Sequence, residues 1–368
     1  MLSADGIAAL ISPATQWFSL PGPLRLDSGA ELVGGQLAYR TWGQLAADGR
    51  NAVLVCHALT GSADVDTWWP GLIGAGLALD PANDFIVCSN VLGSCYGSSG
   101  PLSRRPGSDA LYGGEFPRLT IRDIIRAQRK LIDALGIRQL RLVIGPSLGG
   151  MQTLEWAATY PELVSAIAPI GVSGRHSAWC IATSEAQRQA IFADPNWQGG
   201  RYSPAQAPER GLAAARMMAM VSYRSWANFE SRFGRSLQPD SDAHDFQVQS
   251  YLAHQGRRIN ERFDAVSYVR LTESMDTHDI ARGRGDYPAV LAALTMPALV
   301  VSVPSDVLYP PHEQQILAQH LPAAELVELD SEHGHDGFLI ATDALSAEIR
   351  RWRATFDRGL AATGANAR

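Results

Sequence analysis

Six short apolar runs do most to limit what this chain can fold into. They are AVLVC (52–56), FIVCS (85–89), LRLVIG (140–145), SAIAPIG (165–171), PALVVSV (297–303) and ELVELD (325–330). Each has the length of a strand, and most are apolar almost throughout rather than alternating. A strand reads that way when helices cover both faces of its sheet. Helical patterns fall between the runs. The clearest is TIRDIIRAQRKLIDALG (120–136), with Thr120 placed to cap it, Asp123 three residues on, and Gly136 placed to stop it. Its stripe is Ile124, Ile125, Gln128, Leu131, Ile132 and Leu135, with one polar member. Strands alternating with helices over short connections predict an α/β protein with a doubly wound, mostly parallel sheet. The earlier ELVGGQLAYRTWG (31–43) reads as more exposed, antiparallel strand.

The rhythm breaks after His176 and resumes at Pro297. The chain therefore divides into a core, 1–175 with 296–368, and a mostly helical lid insertion over 176–295. Within the insertion, SPAQAPERGLAAARMMAMVSYRS (203–225) predicts a helix opened by Ser203 and Pro204. The tail AATGANAR (361–368) has no pattern that calls for order. A chain of 368 residues is long enough for one large domain with such an insertion.

Composition removes several function classes. The net charge of -6 lacks the basic footprint of a nucleic-acid binder. No block of like charge marks a membrane-surface segment. No run approaches the roughly 18–20 apolar residues that span a bilayer. The start of the sequence has Asp5, no basic segment, and an apolar patch (7–11) too short for a usual secretory signal. The expectation is a cytoplasmic protein without membrane or nucleic-acid partners. Cys56, Cys88, Cys95 and Cys180 include no CxxC pair, so no zinc knuckle or thioredoxin-type motif is expected. Of 31 basic residues only Lys130 is lysine, which leaves a Schiff-base mechanism a single candidate.

The stretch with most chemical content is Gly145-Pro146-Ser147-Leu148-Gly149. It follows a predicted strand and opens a predicted helix. Small residues two before and two after a serine allow a turn sharp enough to hold its hydroxyl above the end of a sheet, the G-x-S-x-G nucleophile elbow. The N–H of Leu148, at the helix start, can then point at an oxyanion. The plainer alternative is a tight turn whose serine caps the helix. A serine hydroxyl needs a base, and the base needs an orienting acid. In this arrangement they follow in the order Ser, Asp/Glu, His after later strands. Asp306 follows PALVVSV, and His333 and His335 follow ELVELD. Spacing does not choose between these two of the nine histidines. Asp306 is preferred to Asp330, which lies too near the histidines in sequence. A second oxyanion donor is expected on the loop after an early strand, and the Leu59 N–H of HALTGSAD (57–64) takes that place.

These residues sit within longer motifs: CHALTGSADV, NVLGSCYGSSGP, YGGEFPRLTIRDIIRAQRKLIDALGI, GPSLGGMQTLEWAATYPE, SGRHSAWCIATSEAQRQAI, AARMMAMVSYRS, SDVLYPP and GHDGFL. In this order they resemble the homoserine O-acyltransferases of the α/β-hydrolase fold, CoA-dependent enzymes at the start of methionine biosynthesis. The resemblance covers roughly residues 15–355. It implies Ser147 as nucleophile, Asp306 as acid and His335, the histidine of GHD, as base. It implies Arg216 for the carboxylate of the amino-acid acceptor, where a guanidinium fork matches two oxygens. It implies Asp336 for the acceptor's ammonium. Tyr223, seven residues after Arg216 and two helical turns along one face, is expected to line the same pocket.

The reaction so implied is two-step acyl transfer from acyl-CoA to L-homoserine, with acetyl-CoA favoured over succinyl-CoA and serine as an alternative acceptor. Succinyl carries a second carboxylate and would want a further cation, for which Arg175 and Arg188 are candidates. Acyl-CoA is a cosubstrate; no resident cofactor and no metal are implied. A homodimer through the insertion is expected by resemblance. An esterase or thioesterase with the same triad competes with this reading. A non-catalytic binding module is a second competitor, against which the complete Ser, Asp and His set argues.

Overall fold

The computed structural model of the chain describes residues 10–239 and 245–365. Part of the 7–11 patch, His244 and the last three residues of the tail lie outside the described residues. The strands are β1 (Gln16–Ser19), β2 (Leu24–Arg25), β3 (Glu31–Leu32), β4 (Gln36–Trp42), β5 (Ala52–Val55), β6 (Phe85–Ser89), β7 (Leu140–Pro146), β8 (Ile167–Ile170), β9 (Ala298–Ser302) and β10 (Ala324–Glu328). Eight of them form one sheet in the order β1-β4-β6-β5-β7-β8-β9-β10, and β2 pairs with β3 separately. Each of the six apolar runs supplies a strand. β5 to β10 run parallel in this sheet, while β4 pairs antiparallel with both β1 and β6, as the pattern at 31–43 predicts.

Two-sided burial explains the unbroken apolar runs. Leu54 and Val143 face one apolar layer with Ile124, Leu131 and Met151. Their neighbours Val53, Val55, Leu142 and Ile144 face the other, with Phe338 and Trp352. β10, at the sheet edge, is only half-buried. The predicted helix forms over Ile121–Ala134 with a complete capping box: Asp123 N–H donates to Thr120 Oγ1 at 3.2 Å and Thr120 N–H to Asp123 Oδ2 at 2.9 Å. Gly136 takes φ 75°, the left-handed turn that ends it. Gln128, the polar member of the stripe, donates to Gln152 Oε1 at 2.9 Å and accepts from Trp156 Nε1 at 2.8 Å, so its burial is compensated.

Between β8 and β9 the described chain is helical: Ala178–Phe192, Glu209–Tyr223, Trp226–Arg232, Gln247–Asn260, Ala265–Asp276 and Tyr287–Ala292. These helices differ in burial. Ala265–Asp276 buries Tyr268, Val269 and Leu271 in the main apolar layer, so it is core as much as cover. Two expectations change. Ser203 and Pro204 open only a short 3-10 turn (Pro204–Gln206), and the long helix starts after Pro208, since a second proline breaks the run. The closing helix, Thr342–Ala365, also continues into the tail, where alanines carry helix at little cost. The four cysteines are buried and unpaired. Among the described residues, no helix is long and apolar enough to cross a membrane.

Candidate active site

The carboxyl ends of β5, β7, β8 and β9 converge on Ser147. The turn there is tight because glycine leaves no side chain in the way. A Cβ on Gly145 would stand 2.5 Å from the Cys56 carbonyl oxygen, and one on Gly149 would stand 2.0 Å from it. The elbow thus packs directly on the end of β5. Ser147 takes φ 55° and ψ -121°, in a region L-residues avoid at about 1–3 kcal/mol. Its N–H donates to the Ile170 carbonyl at 2.9 Å, which ties the strained residue to β8. The side chain makes no capping hydrogen bond with the helix Leu148–Thr159, so the plainer reading of a capping serine fails.

Asp306 and His335 come together as expected. His335 Nδ1 is 2.7 Å from Asp306 Oδ2. The other carboxylate oxygen accepts the N–H groups of Leu308 at 2.8 Å and Tyr309 at 2.9 Å. This leaves Oδ2 free to orient the imidazole. Nε2 of His335 is buried and, among the described residues, has no partner. Three rings wall the imidazole in: Tyr309 at 5.2 Å, Phe338 at 5.2 Å and Tyr223 at 5.7 Å between centroids. Burial alone would depress its pKa. Burial is the largest single influence, but the charge and hydrogen bond of the Asp306 carboxylate together with the charge of Asp336 outweigh it and raise the pKa above the ordinary imidazole value.

The choice between the two histidines follows from one glycine. Gly334 takes φ 65°, and a Cβ there would lie 2.7 Å from the backbone of Arg224 and Ser225. The chain therefore turns sharply between the rings. His335 faces Asp306, while Nδ1 of His333 meets Nδ2 of Asn228 at 2.9 Å.

Ser147, His335, Leu59, Arg216, Tyr223 and Asp336 line one cavity of about 250 Å³, together with Thr60, Trp68, Arg262, Phe338 and Leu339. Leu148 lies behind it, fully buried at the start of its helix. Among the described residues, the N–H groups of Leu59 and Leu148 have no acceptor. Gln152 braces the two donor segments, donating to the Leu148 carbonyl at 3.1 Å and reaching the His57 carbonyl at 3.5 Å. Arg216 lies over the Tyr223 ring at 5.4 Å, consistent with their seven-residue spacing on one helix. Asp336 is paired with Arg224 at 3.2 Å. Burial raises the pKa of its carboxyl, against the lowering effect of Arg224 and Arg216.

Two cations escaped the sequence reading. Arg224 directly follows Tyr223 and partners Asp336. Arg262 donates to the Thr60 carbonyl at 2.9 Å, to Thr60 Oγ1 at 3.2 Å and to Tyr96 Oη at 3.3 Å. Neither carries a local signal among so many arginines. The cations suggested for a second substrate carboxylate lie elsewhere. Arg175 pairs with Asp279 at 3.0 Å and Arg188 with Asp276 at 2.6 Å, and neither lines the Ser147 cavity.

A strained serine on a strand-to-helix turn, a carboxylate-oriented histidine and two free N–H groups define a nucleophilic hydrolase-type site. Residues 51–341 match the family described as alpha/beta hydrolase fold, and the chain belongs to it. It is 57% identical over 343 residues, 93% of this chain and 95% of the relative, to a homoserine O-acetyltransferase of Trichormus variabilis. A solved homoserine O-acetyltransferase from Bacillus anthracis superposes with TM-score 0.84 at 25% identity, over 92% of this chain and 96% of that one. The solved esterase E22 superposes with TM-score 0.85, also at 25% identity, over 92% of this chain and 99% of that one. Within the α/β-hydrolase fold, the chain belongs to the homoserine O-acetyltransferase family and is an acyltransferase.

Proposed function

We propose that the protein transfers an acyl group from acyl-CoA to the side-chain hydroxyl of L-homoserine in two steps. His335 Nε2 takes the proton of Ser147, and Oγ attacks the thioester carbonyl. The N–H groups of Leu59 and Leu148 stabilise the oxyanion. The C–S bond breaks and CoA leaves as the thiol, protonated by His335. Homoserine then binds with its carboxylate at Arg216 and its ammonium at Asp336. His335 takes its hydroxyl proton, the alkoxide attacks the acyl-serine, and Ser147 regains its proton as the ester departs. Ping-pong kinetics follow from this order.

The observation that carries the reading is the composition of one cavity. The nucleophile and base share about 250 Å³ with a cation and a carboxylate suited to the two ends of an amino acid. Acetyl-CoA is the favoured donor, on the names of the relatives. The Ser, His and Asp set needs neither metal nor resident cofactor for this chemistry. A place at the start of methionine biosynthesis, in the cytoplasm, belongs to the same reading. So does a homodimer through the inserted helices, where Trp226 stands 77% exposed. An esterase or thioesterase is the second reading, favoured by the likeness to esterase E22.

CoA release is the test, with acetyl-CoA or succinyl-CoA against homoserine or serine, beside Ser147→Ala. The expected result is turnover of acetyl-CoA with homoserine and none in the variant. Equal CoA release without any amino acid would make the chain a thioesterase.

A further inference from the structure

The peptide that carries the Leu59 N–H has its carbonyl on Ala58. That oxygen is held twice. Gly61 N–H donates to it at 2.9 Å, and His57 Nδ1 lies 2.8 Å from it. In a trans peptide the C=O and N–H point opposite ways, so whatever fixes the Ala58 oxygen fixes the direction of the Leu59 hydrogen. Gly61 makes the approach possible, because a Cβ there would stand 3.0 Å from His57 Cβ and 3.2 Å from the Ala58 oxygen.

The other ring nitrogen settles the tautomer. Val91 N–H donates to His57 Nε2 at 3.0 Å. A neutral imidazole that accepts at Nε2 carries its proton on Nδ1. The ring is fully buried, and burial pushes its pKa down to about 4, so it is neutral wherever His335 can act as a base. The hydrogen bonds therefore run one way: Val91 N–H to the ring, ring N–H to Ala58 C=O, and Leu59 N–H toward the cavity. Chains of this kind polarise each member, by about 10–30% per bond. On its far flank the loop is held by Arg262 through the Thr60 carbonyl.

We propose that His57, outside the triad, is a positioning residue for acyl transfer: its Nδ1–H orients the Ala58–Leu59 peptide so that the Leu59 N–H meets the oxyanion formed at Ser147. This rests on the acyl-enzyme reading above and adds a residue to it. The competing view is a buried histidine that only closes the loop by accepting from Val91.

Two substitutions separate these views, because each keeps one half of the ring. His57→Asn places an amide nitrogen near the Nδ1 position, retaining the donor and losing the acceptor for Val91. His57→Gln places an amide oxygen near Nε2, retaining the acceptor and losing the donor. The readout is the burst rate of Ser147 acylation by p-nitrophenyl acetate, which needs no amino-acid acceptor, with the ester's half-saturating concentration and the thermal midpoint alongside.

The expected result is an Asn variant within about threefold of wild type and a Gln variant at least about tenfold slower at unchanged half-saturation. That is part of the roughly 10²–10³ that loss of a whole oxyanion donor costs. A Gln variant as fast as wild type overturns the proposal, and so do two variants slowed equally. Wild-type protein that forms no acyl-Ser147 overturns the acyl-enzyme reading and this proposal with it. Should the variants fail to fold, ¹⁵N-histidine spectra of the wild type decide. A neutral His57 with its proton on Nδ1 between about pH 5 and 8 is expected; a proton on Nε2 overturns the proposal.

Discussion

Asp306 holds His335 with one carboxylate oxygen and is itself held at the other by two backbone N–H groups. Asp306→Asn keeps the shape and loses the tautomer control, so kcat should fall by about 10⁴ while the fold survives, as steady-state kinetics and circular dichroism would show. Asp336 acts on the same ring by charge and helps raise its pKa. If His335 is the base, as proposed, catalysis needs it neutral, so activity on the acyl donor should fall as pH drops through its raised pKa. Asp336→Asn removes that negative charge and should move this acid limb of kcat/KM to lower pH. An unmoved limb would detach Asp336 from the ring. Arg216→Lys replaces a fork by a point charge and should raise the KM for homoserine by about tenfold, worth about 1.4 kcal/mol, with the acylation rate unchanged. Ser147, Asp306 and Leu59 were legible from the chain because each follows a recognisable strand. Strand spacing does not choose His335 over His333, and only the family resemblance does, since the choice depends physically on how Gly334 turns against residues 223–225. Arg224 and Arg262 were invisible for a different reason. Their roles depend on partners far away in sequence, and an arginine in a polar stretch otherwise reads as solvated surface.

The elbow works because two glycines let it sit on the end of β5. Gly149→Ala would put a methyl 2.0 Å from the Cys56 oxygen, a backbone atom that cannot swing aside. The expected cost is about 1–3 kcal/mol of stability in denaturant melts, with a large loss of activity as Ser147 and Leu59 move apart. The same substitution at Gly136 meets open space, yet its φ of 75° makes it strained as well. Thr120→Ala removes the side-chain half of the capping box, outside the Ser147 cavity, and should cost about 1 kcal/mol without changing kcat. The central strands were readable because burial on both faces leaves no alternation. The helix 121–134 was readable because cap, stripe and stop agree. The inserted helices are less legible in the sequence: Pro208 delays one of them, and the core role of Ala265–Asp276 rests on tertiary packing that no local pattern encodes.

The sheet, the elbow and the inserted helices together place Ser147, the proposed nucleophile, in a cavity rather than on open surface. Such enclosure matters for a transferase, because an acyl-serine must outlast water until the second substrate arrives. The inserted helices also carry exposed Met218, Val221 and Trp226. If a second copy covers them, sedimentation velocity of Trp226→Glu should show a smaller species than wild type; an unchanged monomer in both would remove the dimer from the account. The most direct measurement is the mass of Ser147 peptides after acetyl-CoA is added without acceptor, and again after homoserine follows. Acetyl transfer through this serine predicts a 42 Da gain for an acetyl group that homoserine then discharges as its O-ester, with water discharging it far more slowly. No acyl group on Ser147, or one that water removes as fast as homoserine does, would contradict it.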